Sequence, residues 1–197
     1  MNRDDWNERY RAVPLLWQVD PEPFLGNEVG AMPPGTVLDL GAGEGRNAVW
    51  LARRGWRVTA VDFSDVAIER GRALAQEAGV TEAIQFVTEN VLDFYPRPGG
   101  YDLVLSMFVH LPADQRRTVL KRATAALAPG GVILVVGYDH PNATEGTSGV
   151  RDPALLFSAA DICAELGGLR IERAEQLQVG DAFDTIVRAV RPVEPAD

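Results

Sequence analysis

The chain has 197 residues, 46% hydrophobic and 24% charged, with 28 Asp and Glu against 19 Lys and Arg for a net charge of −9. That balance excludes a chain disordered throughout and argues against a nucleic-acid-binding surface, whose affinity comes from clustered basic side chains. The lone cysteine, Cys163, excludes an internal disulfide; the opening MNRDDWNERY lacks the apolar core of a signal peptide, and no apolar run approaches the roughly 20 residues of a spanning helix. A cytoplasmic location without a membrane partner is the expectation.

Residues 1 to 34 read as an appendage, helical around Asp4 to Val13 and then broken by prolines, carrying Trp6, Tyr10, Trp17 and Phe24. From Thr36 onward, short β-branched or Leu-rich runs alternate with helical patterns, the signature of βαβ units and a parallel sheet. Thr36 to Leu40 (TVLDL) predicts a strand, GAGEG a turn, Arg46 to Arg54 a helix that Gly55 ends, and Arg57 to Asp62 (RVTAVD) a second strand. Ser64 is an N-cap candidate with Asp65 in the first turn, where the helix dipole favours an anion; its helix should reach about Ala78 and stop at Gly79. Strands are predicted at Ala83 to Thr88, at Tyr101 to Phe108 after the breaker Pro96 to Gly100, and at Gly131 to Tyr138 after the turn APGG. Between the last two, a helix should run from Pro112, at its first helical position, through Leu127. The polar stretch His140 to Arg151 is long for a loop in a compact domain, which points to function or mobility. A helix over Ser158 to Leu166 carries Cys163, read as an inert buried thiol. The last strands, Leu169 to Leu177 and Ala182 to Val190, are joined by Gln178 to Asp181, too short for a parallel crossover, so a mostly parallel seven-stranded sheet should end in an antiparallel hairpin, with helices on both faces.

The chemistry concentrates where the first strand meets the glycines. Gly41, Gly43 and Gly45 allow a sharp turn and the close approach of a ligand. Asp62, 21 residues after Gly41, falls at the carboxyl end of the second strand, where an acid can accept hydrogen bonds from a ribose diol at the ligand-binding edge of an open α/β sheet. A dinucleotide fingerprint would need its last glycine at position 46, which is Arg46.

Val37-Leu38-Asp39-Leu40-Gly41-Ala42-Gly43-Glu44-Gly45, the acid Asp62, the turn Ala128 to Gly131 and the terminal antiparallel pair resemble the class I S-adenosylmethionine-dependent methyltransferases over residues 36 to 191. GEGRNAVWLARRGWRVTAVDFS, behind a Trp-containing segment, is similar to the tellurite-resistance and thiopurine methyltransferase-like branch. The resemblance implies a Rossmann-like domain over residues 35–197, with residues 1–34 as a lid segment. It implies S-adenosylmethionine as cofactor, with S-adenosylhomocysteine as product. Gly41, Ala42, Gly43 and Gly45 would line its methionine part, Asp62 its ribose and Phe63 its adenine. Asp39, Glu44, Asn47, Ser64, Glu89, Asn90, Val91 and Met107 would be further contacts; Asn90 stands where the family often has Asp. Trp6, Tyr10 and Trp17 would close over the site or, alternatively, staple the N-terminal helix to the core.

A sulfonium methyl is already electrophilic, so catalysis requires mainly a positioned acceptor, with a base only where a proton must leave. The acceptor-side candidates at the ends of the fourth and fifth strands are Met107, Phe108, His110, Tyr138, Asp139 and His140, with His110 the candidate base. Ser106-Met107-Phe108-Val109 lacks the Asn/Asp-Pro-Pro-aromatic pattern of the family's base-N-methylating members, and no acid pair or His/Cys spacing suggests a metal. The expected activity is methyl transfer to a small molecule by a monomer or homodimer that does not act on nucleic acid. A nicotinamide-dependent reductase and a non-catalytic cofactor-binding protein are the rivals.

Overall fold

The computed structural model describes residues 1–16 and 20–193; Trp17 lies outside them. The chain forms two compact units, residues 1–94 and 95–197, with strand order β3-β2-β1 in the first and β4-β5-β7-β6 in the second.

In the first unit, α1 (Arg3–Ala12) starts at Asn2, whose side chain accepts from the N–H groups of Asp4 and Asp5 while Asp5 reaches back to the Asn2 N–H, a capping box with acids in the first turn and arginines in the last. A second helix, α2 (Pro23–Val29), begins at a proline and buries Leu25 and Val29. It falls in the stretch that the sequence presents as merely Pro-broken, because so short a helix has too few turns to show a period. Strands β1 (Thr36–Leu40), β2 (Arg57–Asp62) and β3 (Ile84–Thr88) pair in parallel, with Leu40 opposite Val61 and Asp62 opposite Thr88. They alternate with α3 (Arg46–Ala52) and α4 (Asp65–Glu77). Ser64 caps α4 through the Ala67 N–H, and Gly79, at φ +69°, takes the left-handed position after it, where a side chain would be strained. A 3-10 turn over Thr81–Ala83 delays the start of β3 by one residue.

The second unit holds β4 (Tyr101–Met107), α5 (Ala113–Ala126), β5 (Leu127–Tyr138), α6 (Ala159–Glu165), β6 (Arg170–Val179) and β7 (Ala182–Val190). β4 and β5 are parallel; β7 runs antiparallel to both β5 and β6. Three local expectations are corrected. Pro112 is the N-cap of α5, at ψ 147°, rather than its first helical residue. β5 begins at Leu127, because Leu127 pairs with Tyr101 and the glycine turn is absorbed as an irregularity before Leu103 meets Val132. The hairpin turn is only Gly180-Asp181, with Gly180 at φ +59°. β6 is mostly exposed and carries Arg170, Glu172, Arg173 and Glu175, charges that protect an edge from further pairing. Cys163 is half-buried, more open than expected. The polar stretch after β5 is organised around fully buried Asn142: its amide N–H groups donate to the Ser148 and Val150 carbonyls, and its oxygen accepts from the Phe183 N–H.

Candidate functional site

In the first unit, β1 delivers the chain into a turn tied to β2: the N–H groups of Gly41 and Ala42 both donate to the Val61 carbonyl, at 2.8 and 3.0 Å. Gly41, Gly43 and Gly45 have φ of +69°, +54° and +78°, so the left-handed conformations that L side chains resist recur at alternate residues. Asp62, buried at the end of β2, accepts from the Gly43 N–H through Oδ2 and from the Ser64 N–H through Oδ1, both at 2.9 Å. Burial pushes its pKa up, and the backbone donors around it hold it back. Acid and glycine turn, far apart in sequence, are therefore one preassembled unit, and each carboxylate oxygen, with two lone pairs, retains capacity for a ligand hydroxyl.

Asp39, 1% exposed, leaves Oδ2 without a partner among the described residues. Burial, followed by the neighbouring Asp62 charge, pushes its pKa up to about 7 against the opposing pull of Arg46. Glu44 and Asn47, expected as cofactor contacts, hold the N-terminal segment: Glu44 accepts from the Leu16 N–H at 3.0 Å and pairs with Arg70 at 2.8 Å, while Asn47 accepts from the Glu22 N–H at 2.9 Å. Arg46 completes this lacing with Glu22 at 2.7 Å.

Beyond β2 and β3, Phe63, Thr88, Glu89 and Asn90 line an open cavity of about 480 Å³ whose remaining wall is Asn2, Arg3 and Asp4 of the α1 start. Asn90 Oδ1 accepts from the Leu92 N–H, so its amide N–H groups are the part left for a ligand; Val91, half-buried, lies within that turn. Ser64 is fully buried; its hydroxyl donates to Asn7 Oδ1 at 2.6 Å, and Asn7 Nδ2 donates to Asp65 Oδ1 at 2.6 Å, which holds the Asp65 carboxyl below its usual range. Sequence reasoning misses Asn7; the available signal is a polar residue three before Tyr10, on the face that α1 buries. Trp6 packs against Tyr10 at 5.8 Å and carries the Arg9 guanidinium over its ring at 4.8 Å, while Tyr10 is 3% exposed, a core position.

In the second unit, the end of β4 gathers an aromatic cluster. Phe108 is the one non-glycine residue with positive φ among those described, at +58°, and its N–H donates to the Val136 carbonyl at 2.7 Å; such strain collects at functional positions. The Tyr138 ring lies 5.1 Å from Phe108 and stacks on His110 at 5.1 Å and 11°. Phe157, which no local pattern singles out, stacks on the same imidazole at 5.8 Å. His110 Nδ1 lies 3.1 Å from the Leu155 carbonyl, so it carries the proton, and Nε2 is buried without a partner among the described residues. Burial pushes the His110 pKa down to about 4, with the Leu155 carbonyl opposing and Arg116 reinforcing. The ring is thus neutral across the physiological range and a weak base. Met107, 7% exposed, ends β4. Asp139 is buried, accepting from the His140 N–H and the Thr185 hydroxyl. The His140 ring is half-exposed and engages Asp161, the third helical residue and capping-box partner of Ser158 in α6, at 3.1 Å.

Comparison with known proteins points the same way. Residues 37–131 match the family described as "Methyltransferase domain". Residues 37–131 are thus a methyltransferase domain of the class I, S-adenosylmethionine-dependent kind. The chain is 35% identical over 132 residues to the sarcosine/dimethylglycine N-methyltransferase of Halorhodospira halochloris, covering 66% of this chain and 46% of that protein. It is 34% identical over 130 residues to the tRNA 5-carboxymethoxyuridine methyltransferase of Escherichia coli, covering 64% and 47%. The chain therefore spans about half the length of the curated relatives it matches. Its fold superposes with TM-score 0.73 at 22% identity on the Burkholderia thailandensis 1,6-didemethyltoxoflavin-N1-methyltransferase, solved with 1,6-didemethyltoxoflavin and S-adenosylhomocysteine, over 96% of this chain and 87% of that one. The family match contains the glycine turn and Asp62 but ends before Tyr138, Asp139 and Phe157.

Proposed function

We propose that the protein transfers a methyl group from S-adenosylmethionine to a small-molecule acceptor. The observation that carries the reading is the bond from the Gly43 N–H to Asp62 Oδ2, which joins the turn suited to an amino-acid moiety to the acid suited to a ribose. The residues fit that cofactor. The buried Asp39 Oδ2, without a partner among the described residues, matches an ammonium group, directly or through water, and the Asp62 oxygens keep lone pairs for hydroxyls. Phe63 and the Asn90 amide offer a ring face and donors to a base.

When bound, the cofactor supplies an electrophilic sulfonium methyl. What the chain must add is placement of the acceptor and exclusion of water, and the half-buried Phe108 and Tyr138 supply ring surface for that, with the buried Phe157 backing the His110 ring. His110 acts through the Nε2 lone pair, accepting a hydrogen bond from an acceptor hydroxyl or amine, rather than as a strong base. A net charge of −9 supports a small acceptor over tRNA, although relatives include an enzyme named for each kind.

Asp62→Ala tests the cofactor assignment. Loss of a buried, charge-assisted acceptor should weaken S-adenosylhomocysteine binding at least tenfold in calorimetry, and unchanged affinity would remove the ribose role. For the acceptor, incubation with labelled S-adenosylmethionine and either a metabolite extract or total tRNA should place label in the small-molecule fraction; label confined to tRNA would overturn the small-acceptor reading.

A further inference from the structure

The cavity beyond Phe63 has two walls from the strand ends and a third from the first turn of α1: Asn2, Arg3 and Asp4 stand opposite Thr88, Glu89 and Asn90. Helix α1 therefore bounds the space where the nucleoside end of the cofactor belongs. What holds it there is Asn7, 4% exposed, whose amide is used at both ends in matched polarity. Its oxygen accepts from the Ser64 hydroxyl and its nitrogen donates to the Asp65 carboxylate, each at 2.6 Å. These partners are 57 and 58 residues away, so the pair of bonds ties α1 to the N-terminus of α4.

The tie continues inward. Ser64 donates its N–H to Asp62 Oδ1 while its hydroxyl oxygen accepts from the Ala67 N–H, and Asp62 Oδ2 receives the Gly43 N–H. A chain of four hydrogen bonds thus runs from the glycine turn through Asp62, the Ser64 residue and Asn7 to Asp65. Moving α1 releases the hydroxyl that fixes Ser64, and the Ser64 N–H is one of the backbone donors that orient the ribose acid.

On the reading that this site takes S-adenosylmethionine, we propose that α1 is the outer wall of the nucleoside pocket and that Asn7 is its positioning residue, so that docking of α1 and cofactor binding reinforce each other. Asn7 itself lines none of the cavity; it acts through the helix it pins and through Ser64. Reciprocity follows from linkage: a ligand bound against α1 stabilises the docked helix by the same factor by which docking improves its affinity.

The test uses the full chain and S-adenosylhomocysteine as probe, and reads binding rather than turnover. In wild type, saturating S-adenosylhomocysteine should slow amide exchange in residues 3 to 12 at least threefold. In Asn7→Ala, calorimetric affinity should fall about tenfold, with exchange in α1 faster than wild type before ligand is added. No ligand-induced protection of α1 in wild type, a measurement that does not depend on the variant folding, would overturn the wall; so would an Asn7→Ala protein that binds with wild-type affinity. Failure of wild type to bind S-adenosylhomocysteine at all would be a different result, sinking the cofactor reading and the wall with it.

Discussion

In the first unit, the end of β1 buries Asp39 with Oδ2 unpartnered among the described residues, beside a second carboxylate; in the second unit, the residues after β4 hold His110 with Nε2 in the same condition, between two aromatic rings. Each is a buried polar atom left open among the described residues, and an unpaired buried polar atom costs on the order of 1–3 kcal/mol. The two environments push in opposite directions. Around Asp39 the proton is retained, because burial and a like charge both penalise the anion; around His110 the proton is expelled, because burial penalises the cation and Arg116 adds to it. The polar, hydrogen-bonded surroundings of Asp39 suit a group that brings positive charge and hydroxyls, and the aromatic surroundings of His110 suit a neutral group that brings a ring and a donor.

The difference breaks down first at Asp39 if burial is not its cause. The folded chain holds the Asp39 proton up to about pH 7, against 3.8 for an ordinary aspartate, so between those values the folded state binds more protons than the unfolded one and stability falls as pH rises. Asp39→Asn, of the same shape, should remove that fall and leave the free protein roughly 4 kcal/mol more stable than wild type at pH 8, with little difference at pH 4. Urea denaturation across that range measures it; a pH-independent difference between the two proteins would show that Asp39 is ionised throughout.

His110 should behave with the opposite sign. Its folded pKa, about 4, lies below the ordinary 6.5, so in that window the unfolded chain binds the extra proton and stability rises with pH. The contribution is fully present above pH 6.5 and is lost as pH falls towards 4. His110→Phe should flatten this part of the stability profile, removing a variation of roughly 3 kcal/mol. In wild type, the imidazole resonances followed by NMR should show one neutral tautomer, protonated at Nδ1, down to about pH 5; titration near 6.5 would place the ring in water and end its part in the comparison.

The two regions also differ in how much of them the sequence discloses. Strands β1 and β2 fall where their patterns predict, and Asp62 ends β2 as its spacing implies, because apolar runs, glycines and a fixed offset are local signals. Asn7 cannot be found in this way: its partners lie 57 and 58 residues on, and a lone asparagine in a charged helix has no local signature. Phe157 is similar, since its stacking on His110 depends on the 3-10 turn Pro153–Leu155 that brings the Leu155 carbonyl to the same ring. Proximity to the glycine motif suggests Glu44 and Asn47 as cofactor contacts, while the structure commits both to backbone N–H groups of the N-terminal segment. Local pattern locates the site and the tertiary contacts distribute its roles.

The smallest effect separates what the glycine turn does for the fold from what it does for the ligand. Gly45 is the N-cap of α3 at φ +78°, with no side-chain cap, and a Cβ there would sit 3.1 Å from the Phe86 ring and 3.5 Å from the Gly71 Cα. The conformation alone costs an alanine roughly 1–2 kcal/mol, and the ring, a side chain with some freedom, can yield the few tenths of an ångström that contact requires. Gly45→Ala should therefore fold, with stability lower by about 1–2 kcal/mol and a melting temperature lower by about 2–8 °C for a chain of this size. If the folded variant retains wild-type affinity for S-adenosylhomocysteine, Gly45 serves the turn and the packing of β3 against α3, and the ligand-facing role rests with Gly41 and Gly43. A loss of affinity larger than the loss of stability would instead place Gly45 against the ligand and make the first region's preassembly a property of all three glycines.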